Sequence, residues 1–199
     1  MKTRKIIFII LLLCSFTSQA NEESPGKIVK QTVDRVLSVL KDESLDEEKR
    51  KNIVYKLAKD RINFKEMSRR ILATNWRIVT EEQKAEFISL FQEILLHTYW
   101  LRIKRYSGER VEYITVSFDN EDYAVVDTII VRDKSEIEIP ISYRMHRIVN
   151  IWFVYDFTVE SLSLVQSYRR EYRAIIKNFG VDGLLEQMKT EIAGYKTNI

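Results

Sequence analysis

The chain has 199 residues, 45% hydrophobic and 31% charged, which is enough to bury the core of one globular domain. One cysteine and two histidines leave too little material for a disulfide framework or a Cys/His zinc site. The formal charge is +3, but three basic residues lie within the first five positions, so the rest of the chain is balanced overall. A nucleic-acid partner, which requires a clustered surplus of Lys and Arg, is therefore not expected.

The first twenty residues predict a secretory signal peptide. A basic start precedes an apolar run over residues 6–16, and Ser18-Gln19-Ala20 supplies small residues for cleavage. The apolar run is shorter than the roughly 20 residues that a membrane-spanning helix requires. We expect cleavage near Ala20, export, and one domain over residues 21–199. A lipid anchor at Cys14 and an uncleaved membrane anchor are the alternatives.

Residues 24 to 106 show helical periodicity. The predicted helix starts are Ser24-Pro25, Ser44-x-x-Glu47, Asn63-x-x-Glu66 and Thr80-x-x-Gln83. The last of these opens a long helix that runs to about Arg105. In its segment 87–103, eleven of seventeen residues are apolar, whereas an amphipathic helix needs only about three in seven. This segment must meet apolar surroundings on most of its circumference: a thick core, an oligomer interface or a ligand cavity.

Residues 111 to 160 show strand periodicity instead. The four predicted strands lie near 111–119, 123–132, 136–146 and 151–160, with spacing that suits an antiparallel meander. In the third strand Ile137, Ile139, Ile141, Tyr143 and Met145 share one face, and Pro140 predicts an edge or a bulge. In the fourth strand, alternation predicts Trp152 and Val154 on one face and Phe153, Tyr155, Phe157 and Val159 on the other.

Helical periodicity resumes after Ser163-x-x-Gln166. Gly180 is predicted to end this helix and Asp182 to begin a final one. The succession of elements predicts one α+β domain in which helices pack on one face of a four-stranded antiparallel sheet.

The search for catalytic and metal-binding motifs finds no assembled set. Neither histidine has a second ligand at helical spacing, and there is no phosphate loop or nucleophile elbow, so we expect neither a metal site nor an enzyme. Asp127 and Asp156 lie within apolar strand runs, where a buried carboxylate could act as a general base. We favour an outward-facing carboxylate, or one paired with an arginine such as Arg169.

Several motifs in order along the chain resemble one family. They are Phe64-x-x-Met67-Ser-Arg-Arg-Ile-Leu72, Asn75-Trp76-Arg77, Thr80-x-x-Gln83-x-x-x-Phe87-x-x-x-Phe91, Ala124-Val-Val126-x-Thr128, Trp152-x-Val154-Tyr155-Asp156, Ser163-Leu-Val-x-x-Tyr168-Arg169 and Gly180-x-Asp182-Gly-Leu-Leu185. Together they resemble the MlaC family, also called the toluene-tolerance family, of periplasmic phospholipid carriers. One departure is Ser161, which stands after Glu160 where the family pattern has glycine.

The resemblance implies a curved sheet that, with the helices, encloses a hydrophobic lipid cavity near the upper end of the usual 300–1,000 Å³ range. It also implies a carrier that exchanges phospholipid with an inner-membrane ABC transporter complex and an outer-membrane lipoprotein complex, maintaining outer-membrane lipid asymmetry. The only small molecule expected is the bound phospholipid, as cargo rather than cofactor.

The cavity walls that we predict come from the long helix, the sheet and the helix that follows it. They are Phe87, Phe91, Leu95, Tyr99, Val126, Thr128, Ile130, Ile139, Ile141, Tyr143, Trp152, Val154, Tyr168 and Tyr172. For each residue taken singly we favour a position that is partly in the core, because the same face must also hold the domain together. Two other functions stay open at this point: an enzyme of the nuclear-transport-factor-like α+β fold with Asp127 or Asp156 as base, and an exported adaptor whose apolar helix binds a protein.

Overall fold

The computed structural model describes residues 23–106, 108–132 and 137–197. The predicted signal peptide and its cleavage site lie outside these ranges. The helices are α1 (Pro25–Lys41), α2 (Glu47–Arg61), α3 (Phe64–Leu72), α4 (Glu81–Ile103) and α5 (Leu164–Thr197), with a 3-10 helix at Ala73–Arg77. The strands are β1 (Arg110–Asn120), β2 (Tyr123–Arg132), β3 (Ile137–Ile148), β4 (Ile151–Val159) and β5 (Leu162–Ser163). None of the helices in the described part of the chain is both long and apolar enough to cross a membrane.

Side-chain caps begin the helices where the sequence predicts them, with one exception. The confirmed caps are Ser24, Asn63 and Thr80, and Thr80 forms a complete capping box with Gln83. The prediction for α2 is wrong: its N-cap is Asp46, whose carboxylate accepts from the Lys49 amide. The Ser44 hydroxyl instead donates to Asp42. Asp46 is a strong N-cap and lies directly before the first helical residue, so it satisfies the free amides of α2.

The strands form one antiparallel sheet in the order β1-β2-β3-β4-β5, curved and not closed. The sequence predicts four of these strands; the two-residue β5 is additional and pairs with the end of β4. Pro140 is not on an edge strand, because β3 lies between β2 and β4. Its carbonyl accepts from Glu160 beyond the last β3–β4 register pair, Ile141 with Val159. The missing N–H of Pro140 therefore falls where the ladder with β4 has ended.

The final helix is broken where the sequence predicts a helix end. Gly180 has φ 70° and ψ −177°, a left-handed backbone conformation that glycine adopts without steric cost. The carboxylate of Asp182, just after the break, accepts from Gln83 Nε2 at 2.7 Å. The second half of α5 is thereby joined to the capping box at the start of α4.

Three clusters of buried side chains hold the helices to each other and to the sheet. In the first, Ile28 and Val29 of α1 cover Ala124, Val126, Met145, Trp152 and Val154. The second lies between α3, α4 and α5 and includes Phe87, Phe91 and Leu184. In the third, Val39, Val54 and Trp100 join α1, α2 and α4. The structure is thus an α+β domain with its helices on one face of the sheet, as the sequence predicts.

Candidate functional site

An apolar cavity lies between α2, α4 and the sheet. The part bounded by the described residues has a volume of about 210 Å³. Its walls are aliphatic and aromatic: Val54, Tyr55, Ala58, Ile62, Leu95, Leu96, Tyr99, Trp100, Ile103, Ile141, Tyr143, Phe157, Val159 and Leu164. None of these side chains carries a charge at neutral pH, so the cavity suits an apolar group.

The helical spacing of α2 and α4 directs one face of each helix into the cavity. On α2 the lining positions are 54, 55 and 58, followed by the C-cap residue 62, and on α4 they are 95, 96, 99, 100 and 103. The sheet supplies the opposite wall through the cross-strand pairs Tyr143–Phe157 and Ile141–Val159.

A main-chain connection fixes the end of α2 to the sheet. Ile62 forms a parallel bridge with Val154, and the Asn63 amide donates to the Val154 carbonyl at 2.8 Å. The position of α2 at the cavity wall is thus set by backbone hydrogen bonding as well as by side-chain packing.

The polar atoms in the cavity walls belong mainly to tyrosines, and these are held neutral. Burial, together with the nearby charge of Glu93, raises the pKa of Tyr55 to about 12. Burial also raises the pKa of Tyr99 and Tyr143, although Arg102 and a hydrogen bond with Thr128, respectively, act in the opposite direction. The site can therefore solvate alkyl chains, and none of the lining residues that the structure describes is an ionised acid or base.

Four of the fourteen predicted wall residues line this cavity: Leu95, Tyr99, Ile141 and Tyr143. Thr128, Ile130 and Ile139 lie on the same face of β2 and β3. In the register Thr128 pairs with Ile141, and Ile130 pairs with Ile139. Val126, Trp152 and Val154 lie on that face too, beneath α1.

The other four predicted residues form an aromatic group between α4 and α5. Phe87 and Phe91 are stacked with ring centroids 6.0 Å apart, and Phe91 meets Tyr168 edge-on at 5.1 Å. Phe87 meets Tyr172 edge-on at 5.8 Å. These rings pack against each other and fill the interface between the two helices. Their contact with any ligand stays a prediction.

Phe157 and Val159 of β4 line the cavity but are not among the predicted wall residues, because the strand contains a bulge. Arg144 pairs with Asp156 and Met145 with Val154, so Tyr155 is an extra residue. The prediction that Phe157 and Val159 face away from Val154 is therefore wrong. No residue type in the sequence marks this bulge.

The lining residues of α2 are also absent from the predicted walls, although the sequence marks them by apolar residues at helical spacing. Val54, Tyr55, Ala58 and Ile62 recur at helical spacing, but lysines and arginines surround them.

Neither strand aspartate lies in the cavity wall. Asp127 lies between the buried Val126 and Thr128 and so belongs to the opposite face of β2. Asp156 is buried, and its two oxygens accept from the Ser163 hydroxyl at 2.6 Å and the Val165 amide at 3.0 Å. It caps the start of α5 and is neither outward-facing nor paired with Arg169 as expected. Within the described ranges, no cluster of three or more His, Cys, Asp and Glu could hold a metal ion.

The fold and the cavity define a class of small α+β domain in which helices and one face of a curved sheet enclose an uncharged space. The family model for "MlaC protein" matches residues 30–190, and the chain belongs to the MlaC family. A similar solved structure is the phospholipid-binding protein from Ralstonia solanacearum in complex with a phospholipid. It is 24% identical, with a TM-score of 0.78, and the match covers 86% of this chain and 98% of that one.

Proposed function

We propose that this protein is a periplasmic phospholipid carrier that holds acyl chains in the apolar cavity without covalent chemistry. The observation that carries the proposal is the uncharged cavity between α2, α4 and the sheet. Membership of the MlaC family supports it, as does the bound phospholipid in the Ralstonia protein of the same fold.

A carrier is needed because phospholipid does not cross water unaided at a useful rate. A diacyl lipid exposes about thirty methylenes, and at ~0.8 kcal/mol each their transfer into water costs about 24 kcal/mol. A protein that covers these chains removes most of that cost. The required site is large, apolar and free of unpaired polar groups.

The cavity described above is smaller than a phospholipid requires. Its 210 Å³ lies below the range of typical ligand pockets, about 300–1,000 Å³. Lipid uptake therefore widens the space between α2, α4 and the sheet. Along β2 and β3 the widened cavity extends over Thr128, which pairs with Ile141, and over Ile130 and Ile139, which continue the inner face of the sheet beyond that pair.

The proposed route of transport lies between the two membranes of the cell envelope. The carrier is exported by the signal peptide predicted over residues 1–20 and exchanges lipid with an inner-membrane ABC transporter complex and an outer-membrane lipoprotein complex. This exchange maintains the lipid asymmetry of the outer membrane. The family membership supports this role.

The geometry favours binding over catalysis. An enzyme using Asp156 would need a free carboxylate, but both of its oxygens hold the start of α5. Asp127 lies on the opposite side of β2 from the cavity. An adaptor would present the apolar α4 to a partner, yet Phe87, Phe91, Ile94 and Leu95 of that helix are buried within the domain.

Native mass spectrometry of the protein purified from a bacterial periplasm tests the proposal. We expect a stoichiometric adduct of phospholipid mass that is lost on denaturation, with the same lipid in an organic extract. Protein that is free of lipid and takes none up from vesicles would refute it.

A further inference from the structure

A second pocket, lined by arginines, lies outside the apolar cavity. It is formed by α3, the 3-10 helix, Arg144 of β3, Tyr155 and Asp156 of β4, and the start of α5, and its volume is about 570 Å³. Five arginines line it: Arg69, Arg70, Arg77, Arg144 and Arg169. None of its described lining residues also lines the apolar cavity. The concentration of positive charge is local, since the chain as a whole is close to neutral.

The negative charges near this pocket do not balance the arginines. Glu66 accepts from both Arg69 and Arg70 at 2.7 Å. Asp156 lines the pocket, but its oxygens accept from Ser163 and Val165. Within the described part of the chain, Arg77, Arg144 and Arg169 have no ion pair. The described lining thus holds five guanidinium groups and one carboxylate, and Glu66, outside the lining, contacts two of the arginines.

The two arginines of α3 are held in place and keep N–H donors that are available to a ligand. The Glu66 carboxylate fixes both of them, and the guanidinium of Arg70 lies over the Tyr155 ring at 4.1 Å from its centroid. A guanidinium has five N–H donors, and Arg70 uses its Nε donor on Glu66, so further donors remain for a ligand. Such fixed guanidinium groups lose little conformational freedom when they bind an anion.

The backbone of the pocket wall is strained at Ala73. This residue, which follows α3, has φ 52° and ψ −115°, a conformation that residues other than glycine rarely adopt. The turn directs the chain into the 3-10 helix, which contributes Trp76 and Arg77 to the wall. Strain of this kind persists where the surrounding structure holds it and is concentrated at ligand sites.

We propose that the arginine pocket binds a phosphate-bearing anion. Planar guanidinium groups pair with phosphate oxygens through two parallel hydrogen bonds, and several of them together neutralise a dianion. The phosphate group belongs either to a soluble phosphate ester or to the headgroup of an anionic lipid at a membrane surface. Because the pocket and the apolar cavity are separate, this site does not depend on the proposed lipid cavity.

Titration calorimetry in a low-salt chloride buffer tests the site with two probes, inorganic phosphate and glycerol 3-phosphate. The variant Arg144→Gln/Arg169→Gln removes two pocket arginines that have no ion pair and are exposed, so the fold is retained. The control Arg35→Gln/Arg170→Gln removes the same charge from exposed positions that do not line the pocket. We expect the pocket variant to bind at least about tenfold more weakly and the control to change by less than about twofold.

Sedimentation with vesicles distinguishes the two sources of phosphate. Pocket-dependent binding to vesicles of phosphatidylglycerol and phosphatidylcholine, but not to phosphatidylcholine alone, assigns the site to a lipid headgroup. Pocket-dependent binding of the two soluble phosphates without binding to the vesicles assigns the site to a free phosphate compound. The proposal is overturned if neither the soluble phosphates nor the vesicles bind, or if the pocket variant and the control weaken binding equally. A pocket-dependent interaction with a polyglutamate peptide but not with phosphate also overturns it, in favour of an acidic protein segment.

Discussion

Filling the apolar cavity from α2 should displace lipid while leaving the fold intact. Ala58 lies in the cavity wall and is only partly buried, so a larger side chain at this position extends into the space. We choose Ala58→Trp, because the indole adds bulk without introducing charge. Its polar N–H group has Tyr55 and Tyr99 as neighbours in the same wall.

The volume of the cavity sets the size of the effect. A methylene occupies roughly 30 Å³, about the volume per molecule in liquid water, so the 210 Å³ cavity holds about seven methylenes. At ~0.8 kcal/mol each, these contribute about 5–6 kcal/mol to lipid binding. An indole in place of a methyl group occupies the space of about four methylenes, so binding weakens by about 3 kcal/mol, or about 200-fold.

The assay is the amount of phospholipid that co-purifies with each variant, measured by native mass spectrometry, with thermal unfolding as the test of folding. The matched control is Ala85→Trp, the same substitution at an exposed position of α4. We expect lipid to be lost from Ala58→Trp and retained by the control. If Ala58→Trp folds and carries as much phospholipid as the unmodified protein, the cavity is not the lipid site. The smaller Ala58→Leu should give an intermediate loss, which separates displacement from misfolding.

Three further predictions concern the stability of the fold. Asp156→Asn should lower the free energy of unfolding by about 1–2 kcal/mol, because the two oxygens of Asp156 cap the start of α5. We expect a lower melting temperature and an unchanged lipid content. Ser161→Gly should raise the melting temperature by about 1–4 °C, because Ser161 has φ 68°, a conformation that glycine adopts without steric cost. Burial raises the pKa of Glu66, but hydrogen bonds from Arg69 and Arg70 outweigh it and lower the pKa below its ordinary value of 4.5. The ionised carboxylate therefore stabilises the fold above about pH 4.5, and this stability is lost as the pH falls through the folded-state pKa. Urea unfolding at several pH values should show a smaller acid-induced loss for Glu66→Gln than for the unmodified protein.

Local signals in the sequence were sufficient for most of the fold. Alternation and capping residues predict the four long strands and the starts of α1, α3 and α4, because these depend on neighbours within a few positions. The N-cap of α2 was misplaced because Ser44 and Asp46 both fit the start of a helix, and the choice depends on how the chain leaves α1. β5 has only two residues, too few for a periodic pattern.

The candidate site was harder to predict than the fold. The cavity walls consist of the apolar side chains that do not pack against a neighbouring helix or strand. The sequence does not show which apolar side chains these are. Leu95 and Phe91 lie one helical turn apart on α4, yet Leu95 lines the cavity and Phe91 packs against Tyr168. Tertiary packing decides which of the two residues lines the cavity, whereas helical periodicity shows only that both are apolar.

The extra residue in β4 gives that strand two unequal sides. On the inner side, Val154 and Phe157 remain in phase despite being three residues apart, so the strand continues the wall without a break. At the bulge, two residues of β4 stand where regular pairing would place one: Tyr155, whose ring lies against the Arg70 guanidinium, and Asp156, which accepts from the Val165 amide at the start of α5. Deleting residue 155 should therefore keep the inner wall in register while removing a support of the arginine pocket.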